Sequence, residues 1–222
     1  AADIVNPTFT DRITVVNDAL INGLTVGRGL GNIGSNTAIG AFSLLSNTAG
    51  INNTANGASS LRNNTTGTNN TSNGTFSLQN NNTGANNTAN GSTALINNTA
   101  GSGNTANGAF SLSINTTGIN NSANGVSSLA SNTTGGNNTA NGSSALFGNT
   151  TGSSNSASGV NAGRYIADKI TPVTILNNSV MLGATTSPLA DNQTNQIAIG
   201  NNATGLGSNT SVLGNLNTVF AR

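Results

Sequence analysis

A single 17-residue segment is repeated seven times in succession between Asn36 and Ser154, and it limits the possible folds more than any other feature. The first copy reads NTAIGAFSLLSNTAGIN and the second NTANGASSLRNNTTGTN. Two glycines and one leucine recur at fixed positions, and an eighth copy begins at Asn155 and loses the pattern after Gly159. The leucines are Leu44, Leu61, Leu78, Leu95, Leu112, Leu129 and Leu146. A short period kept this strictly predicts a solenoid, in which each copy stacks on its neighbours.

Each copy is predicted to form two short β-strands joined by turns. The first strand is the Asn-Thr-Ala-x-Gly segment, whose third position is always Ala or Ser and is therefore expected to face a crowded interior. The second strand is centred on the leucine. Because side chains alternate along a strand, the leucine and the residue two before it share one face, and the Ser or Ala between them faces the other way.

Turn and composition signals complete the fold prediction. The Asn-Thr-Thr-Gly segments, such as Asn64–Gly67, are predicted to be turns in which Gly or Asn adopts a positive φ. Phe42, Phe76 and Phe110 precede the leucine by two residues in alternate copies, so that bulky rings avoid stacking on each other. Glycine twice per copy disfavours helix.

Low-complexity disorder is the alternative to a folded solenoid, but disorder does not require seven leucines at the same position of the repeat. We expect an all-β parallel solenoid with two strands per coil, along which Asn, Thr and Ser form hydrogen-bonded ladders.

The composition excludes most catalytic and electrostatic functions. Charged residues make up 5% of the 222 residues and the net charge is +1, so the basic patches typical of nucleic-acid-binding proteins are missing. The sequence contains no Cys and no His, which rules out an ordinary zinc or copper site and a thiol nucleophile. No apolar run reaches the ~18 residues that cross a membrane. We therefore expect no cofactor, no metal, no nucleic acid, no membrane insertion and no enzymatic activity.

Four segments can be distinguished along the chain. Residues 1–35 carry the β-branched runs Ile13–Val16 and Leu24–Val26 and are expected to cap or connect the first coil, whose open end needs a cover. The other segments are the repeat array of residues 36–159, an irregular insert at residues 160–178, and residues 179–222, where strand motifs return at Ser179–Gly183, Gln196–Gly200 and Ser211–Gly214. The absence of an initiating Met and the abrupt end lead us to expect a piece of a longer protein.

The core that this pattern offers is thin, with one leucine and one small residue per coil. Self-association would cover one face, and symmetric homo-oligomers are the usual solution. We therefore expect an obligate oligomer. A monomeric solenoid with a self-sufficient core is the alternative.

The strand motifs at Asn36–Gly40, Gln196–Gly200 and Ser211–Gly214 resemble the head repeats of YadA-like trimeric autotransporter adhesins. The 17-residue form is similar to a variant found in phage tail fibres and related tail-fibre-domain proteins, where a segment similar to Gly205–Arg222 often precedes a self-cleaving chaperone domain. The resemblance implies a left-handed parallel β-roll in an interwound homotrimer. Copies two to seven depart from it by carrying Asn at the apolar strand position, so the face that packs on the neighbouring chain stays open. These residues are Asn56, Asn73, Asn90, Asn107, Asn124 and Asn141.

The function that we expect is structural: a trimeric shaft or distal segment of a phage tail fibre, in the virion, that helps bind a host cell-surface glycan or protein receptor. A bacterial trimeric surface adhesin, located at the cell surface, is the alternative. Two other classes stay open. The regular Thr/Ser column from Thr37 to Ser156 allows ice binding, and the carboxylates of Asp168 and Asp191 allow a glycan-degrading tailspike, which needs two carboxylates about 5 to 10 Å apart.

Four residues in the irregular insert are the candidates for receptor contact: Arg164, Tyr165, Asp168 and Lys169. They include the only tyrosine and bring charge to a chain that has almost none. Binding residues concentrate in loops that interrupt a regular scaffold, which favours a contact role. The alternative is that the insert only adapts the shape of one solenoid segment to the next.

Overall fold

The computed structural model describes residues 19–21, 24–29, 31 and 33–215. Over these residues the chain is all-β and forms a parallel β-solenoid of about ten coils, spaced ~17 residues apart in sequence, as the repeat predicts. Thirteen strands form one continuous sheet, and two more form a small second sheet. The run Ile13–Val16 lies outside the described residues.

The described residues contain fifteen short strands. They are β1 Ala19–Ile21, β2 Leu24–Gly27, β3 Thr37–Ile39, β4 Thr54–Asn56, β5 Thr71–Asn73, β6 Thr88–Asn90, β7 Thr105–Asn107, β8 Ser122–Asn124, β9 Thr139–Asn141, β10 Ser156–Ser158, β11 Leu176–Asn177, β12 Val180–Leu182, β13 Gln193–Thr194, β14 Ile197–Ile199 and β15 Ser211–Leu213. Strands β1 and β2 form an antiparallel hairpin that pairs with β3, and β3 to β10 are parallel and in register. The sheet then continues through β12, β14 and β15, while β11 pairs with β13.

Each coil of the repeat array contains one strand, so the prediction of two strands per coil is wrong there. The segment around each leucine is a series of turns, because the leucine and the residue two before it both have left-handed backbone. In the fourth copy, φ is 57° at Thr93 and 52° at Leu95. Non-glycine residues adopt this conformation uncommonly, and a strand cannot contain it. The alternation of residue types in the sequence does not indicate this left-handed backbone.

The left-handed backbone also changes which side chains point inward. Leu44 is fully buried, as predicted, but Phe42 is 58% exposed and Ser43 between them is buried. The same holds for the other phenylalanines of the column, Phe76 and Phe110, which are also exposed. The predicted sharing of one face by the leucine and the phenylalanine is therefore wrong. The core is built from the leucines, the Ser or Ala before each leucine, and the small central residue of each strand in the array.

Two ladders of buried asparagines run along the interior beside this apolar core. Asn81 Nδ2 donates to Asn64 Oδ1 at 2.7 Å and to Gly84 O at 2.9 Å, and Asn70 Nδ2 donates to the same Gly84 O at 2.9 Å. Asn70 is fixed in turn by Asn53 Oδ1, which accepts the Asn70 backbone N–H at 3.0 Å. A buried amide is costly unless its hydrogen bonds are made, and here the coil spacing makes them. The ladder residues are Asn36, Asn53, Asn70, Asn87, Asn104, Asn121, Asn138 and Asn155 in one column, and Asn47, Asn64, Asn81, Asn98, Asn115, Asn132 and Asn149 in the other.

The two glycines of each copy have different roles. The first recurs every 17 residues from Gly40 to Gly142, and the second from Gly50 to Gly152. Gly74 has φ +139°, and a Cβ there would lie 2.6 Å from the carbonyl oxygen of Gly91 in the next coil. In the second column φ is not positive, and glycine is needed for space: a Cβ on Gly84 would lie 2.4 Å from both Asn81 Oδ1 and Gly101 O. The positive φ predicted for the Asn-Thr-Thr-Gly turn falls two residues after the glycine, as at Asn86 with φ 58°.

The insert lengthens one coil without interrupting the sheet. Ser156 pairs with Val180, 24 residues further on, whereas Val180 pairs with Ile197 after the usual 17 residues. The coil between β10 and β12 therefore carries seven extra residues. Glycine stands at the leucine position of this coil, and a Cβ on Gly163 would meet Met181 Cγ at 3.5 Å. Met181 is fully buried where the array has Ala or Ser, so its larger side chain replaces the missing leucine.

Candidate functional site

The extra residues form a small hairpin at the side of the solenoid. Tyr165 and Pro172 make an antiparallel bridge, and the Ile166 N–H donates to Thr171 O at 2.9 Å. The turn is closed by Lys169, whose N–H donates to Ile166 O at 2.9 Å and whose φ of 60° reverses the chain. All four candidate residues of the insert belong to this hairpin or its base. The structure therefore brings them together, but it gives them different tasks.

Arg164 joins the hairpin to the solenoid by packing. Its guanidinium carbon lies 4.8 Å from the centre of the Phe147 ring and 4.9 Å from that of the Tyr165 ring. Its Nη1 donates to Asn161 Oδ1 at 2.9 Å. A cation between two aromatic rings is stabilised by both, so Arg164 orients Tyr165 and is engaged within the chain.

Asp168 holds the hairpin turn. Its Oδ1 accepts the backbone N–H groups of Ile170 and Thr171, each at 2.8 Å, and its Oδ2 accepts the Thr171 hydroxyl at 2.5 Å. The Thr171 hydroxyl and these two amides lower the pKa of Asp168 below its usual value. The carboxylate is exposed, and each of its oxygens already has a partner in the turn.

Lys169 reaches back from the hairpin to the next coils. Its Nζ donates to Thr185 O at 2.9 Å and to Ser187 Oγ at 2.7 Å. Both acceptors are neutral. Burial of the stem and head lowers the pKa of Lys169 from the ordinary value. The ammonium thus sits between the hairpin and the solenoid, half-buried, with a charge that these two partners do not neutralise.

A cavity of about 180 Å³ lies where the hairpin meets the solenoid, and Tyr165 and Lys169 line it. Its other walls come from Asn161, Thr185, Thr186 and Asn202. A second cavity of about 660 Å³ continues from it, because Lys169 and Asn202 line both. The rest of its lining is Ala167, Thr204, Leu206, Val212, Leu213, Gly214 and Asn215. Arg164 and Asp168 line neither cavity.

Three of these lining residues were missed from the sequence although they follow one rule. Asn161, Thr185 and Asn202 all have left-handed backbone, with φ of 56°, 53° and 59°. They occupy the position two residues after the first glycine of their coils, where the array carries Phe42 or Thr93. Aligning the C-terminal coils with the repeat therefore identifies them as one column. What the sequence does not reveal is that this column faces the hairpin.

The two carboxylates considered for glycan cleavage lie in separate turns. Asp191 Oδ1 accepts the backbone N–H groups of Thr174 and Ile175 at 2.9 and 2.8 Å, and the Thr174 hydroxyl bonds to Oδ2. Burial acts to raise the pKa of Asp191, but these hydrogen bonds lower it below the usual value. Glycosidases that use an acid and a base raise the pKa of the acid. Neither Asp168 nor Asp191 has that shift.

The outer face of the sheet is a second surface with regular chemistry. In β4 to β9 the first residue, Thr or Ser, and the third residue, Asn, point outward, while Ala or Ser between them is buried. The outward asparagines form a ladder with Nδ2 to Oδ1 distances of 2.8 Å, through Asn73, Asn90, Asn107, Asn124 and Asn141. The Thr hydroxyls beside it make no side-chain hydrogen bond within the described part of the chain. Five of the six asparagines at this strand position thus form a ladder on the outside.

Among the described residues, no group of three or more His, Cys, Asp or Glu is placed to hold a metal ion. The same residues include no helix that is long and apolar enough to cross a membrane.

These features define a class, a nearly uncharged parallel β-solenoid with a hairpin and a cavity at one coil. Comparison with protein-family models gave no match, and no curated protein and no solved structure matched the chain.

Proposed function

We propose that the chain is a structural and attachment protein, a shaft or distal segment of a trimeric phage tail fibre that contacts the host cell surface through the hairpin of residues 164–173. The observation that carries the proposal is the contrast between a long regular scaffold and one irregular, charged hairpin with a cavity beside it. A bacterial trimeric surface adhesin would use the same features, and it is the alternative.

The scaffold suits a role that requires reach. About ten coils at one strand spacing of ~4.8 Å give a rod of roughly 48 Å. In the repeat array, each coil is tied to the next by backbone hydrogen bonds, by the leucine column and by asparagine ladders. Such a rod places a binding loop at a fixed distance from its attachment point and does not depend on charge for its stability.

The trimer in this proposal is formed through the outer face of the C-terminal strands. Leu182 on β12 and Ile197 on β14 are 45% and 36% exposed, whereas the array presents Asn and Thr at these positions. Exposed apolar side chains on one face of a sheet favour an interface. The left-handed, interwound arrangement comes from the resemblance to YadA-like head repeats. Changing Leu182 to Asn, the residue that the array has there, is expected to shift the mass in light scattering toward the monomer.

Attachment is tested with fluorescently labelled protein and a panel of bacterial strains. For a strain that binds the chain, Tyr165→Ala is expected to reduce bound fluorescence at least about ten-fold, because three copies of a weak site act together. Arg62→Ala is the matched control, since Arg62 also stacks on an aromatic ring, Phe42, at 5.4 Å but far along the array. Unchanged binding by Tyr165→Ala would contradict the proposal.

Ice binding is a second candidate, favoured by one observation: the outward Thr and Asn residues of β4 to β9 form an uncharged, in-register array on a parallel sheet. A measurement of thermal hysteresis decides it. An ice-binding face would give hysteresis that Thr105→Tyr abolishes, because a bulky ring would interrupt the flat array. Absence of hysteresis in the unmodified chain removes this candidate.

A further inference from the structure

The cavity between the hairpin and the solenoid contains a cation that has room for one more partner. A lysine ammonium has three N–H donors. Two of them reach Thr185 O and Ser187 Oγ, and both acceptors are neutral. The neighbouring carboxylate of Asp168 is occupied by Ile170 and Thr171 in the hairpin turn. One donor of Lys169 and its charge are therefore available to a ligand in the cavity that it lines.

The other walls offer the groups that recognise a sugar ring. Asn202 is exposed, lines both cavities, and its side-chain amide makes no hydrogen bond within the described residues. An amide supplies two donors and an acceptor, which suits hydroxyl groups on adjacent carbons. Tyr165 adds an aromatic ring that Arg164 holds in place from one side. Amides, hydroxyls and one aromatic ring around a single positive charge are the chemistry for an acidic carbohydrate.

The larger cavity gives this ligand space beyond one sugar unit. Its volume of about 660 Å³ lies within the usual range for ligand pockets, about 300–1,000 Å³. Leu206, Val212 and Leu213 add apolar side chains to the lining that also contains Lys169 and Asn202. The C–H face of a sugar ring can pack on these side chains while its hydroxyl groups face the amide. A free acidic amino acid lacks this second, apolar face.

We propose that the cavity lined by Tyr165, Lys169 and Asn202 binds an acidic sugar unit of a cell-surface glycan, with its carboxylate on the Lys169 ammonium. This inference rests on the proposed attachment function and names the chemical class of the receptor. Three such sites in a trimer would turn weak single-site affinity, on the order of millimolar, into firm attachment.

The test uses pairs of sugars that differ only at C6, which carries a carboxylate in one sugar and a hydroxymethyl group in the other. The full chain is titrated with methyl β-glucuronide and methyl β-glucoside, and with methyl β-galacturonide and methyl β-galactoside, and binding is followed by NMR. At least one acidic sugar is expected to bind about ten-fold or more tightly than its neutral partner, because a charge-assisted hydrogen bond is lost in the neutral sugar. Lys169→Met should abolish this preference, whereas Arg62→Met should keep it. Equal binding of both partners, or no binding of any of the four, overturns the inference.

Further arms separate the possible failures. Tighter binding of N-acetyl-glutamate methylamide than of both acidic sugars would assign the cavity to a protein receptor and overturn the sugar assignment. If Tyr165→Ala loses attachment to cells but no acidic sugar binds, the attachment function stands and the receptor class is wrong. If Tyr165→Ala keeps attachment, the proposed function fails whichever sugar binds. Circular dichroism and the urea midpoint of each variant show that its solenoid is intact.

Discussion

The repeat array and the C-terminal coils of residues 179–215 share one sheet, yet the outward side chains are mostly polar in the array and include large apolar residues in the C-terminal coils. The array shows Thr and Asn on its outer face, and the C-terminal strands show residues such as Leu182 and Leu213. Inside, both regions bury the second residue of the strand, which is Ala106 in β7 and Ala198 in β14. The inner column therefore fixes the fold, and the outer columns are free to specify what each region contacts.

The coil with the insert shows how the inner column tolerates change. Glycine replaces leucine at Gly163, and Met181 restores the lost volume from the neighbouring column. One of the two buried asparagine ladders is interrupted at this coil. Asn132 Oδ1 has no hydrogen-bond partner among the described residues, because the Asn149 amide in the next coil donates to Gly152 O but not to Asn132. The regular ladder thus ends where the hairpin begins.

The largest effect is expected from adding one methyl group to the array backbone. Gly74→Ala places a Cβ 2.6 Å from Gly91 O at a φ of +139°, so that the next coil must move. We expect a loss of about 4 kcal/mol or more, as for other severe backbone conflicts. Gly207→Ala is the matched control, because its φ is +116° but the nearest atoms to a Cβ lie 4.0 Å away. Urea unfolding measures both, and equal midpoints for the two variants would contradict the stacked coils.

Truncation of the leucine column is the next largest effect. Leu95→Ala removes a fully buried side chain and should cost about 3 kcal/mol, from lost burial and the cavity that remains. Leu213→Ala in the C-terminal region should cost much less in the isolated chain, since Leu213 is 61% exposed. Urea midpoints measured at one fixed protein concentration compare the two. A smaller effect for Leu95→Ala would mean that the column is not the core.

The inner and outer asparagine ladders differ in burial, and this difference predicts the third effect. Asn98→Ala leaves the buried Asn81 Oδ1 and Asn115 Nδ2 without their partner and should cost about 2 kcal/mol. Asn107→Ala breaks the outer ladder between Asn90 and Asn124, where water replaces the lost bonds, and should cost less than about 1 kcal/mol. Thermal or urea unfolding distinguishes them, and equal costs would contradict the burial of the inner ladder.

The smallest effect is a local response to acid in the hairpin. The pKa of Asp168 is lowered in the folded chain, so its turn hydrogen bonds contribute stability above the unfolded pKa, and this contribution is lost as pH falls through the folded pKa. The amide NMR signals of Ile170 and Thr171 should therefore shift only below the usual titration range of Asp, which is about pH 3.9. Array amides serve as the control, because no ionisable side chain lies between Arg62 and Arg164. A midpoint at or above the usual range would contradict the capped turn.

The sequence predicts the solenoid and its inner columns because a period shows which residues repeat, and Leu95 and Ala89 repeat as apolar or small residues. It does not predict the course of the backbone between them. Left-handed φ at residues such as Thr93 is set by stacking on neighbouring coils, and no local residue preference signals it. The strict columns of Asn70 and Asn81 predict ladders, but their burial follows only from the folded path.

The sequence shows a break in the repeat at the candidate residues, and the structure shows a lengthened coil there, but the roles of these residues depend on three-dimensional contacts. Arg164 and Asp168 are used to orient and close the hairpin, whereas Tyr165 and Lys169 line the cavity. Asn202 is distant in sequence and joins them only because the coils stack. Charge marks the hairpin in the sequence, but it does not distinguish a residue that holds the site from one that is open to a ligand.

The solution mass, measured by light scattering together with far-UV circular dichroism, tests the central proposal of a trimeric attachment rod most directly. The account predicts a β spectrum and a mass near three times 21.8 kDa. A mass of 21.8 kDa with a β spectrum would contradict the trimer, leave the solenoid in place, and favour the flat Thr and Asn face as the functional surface.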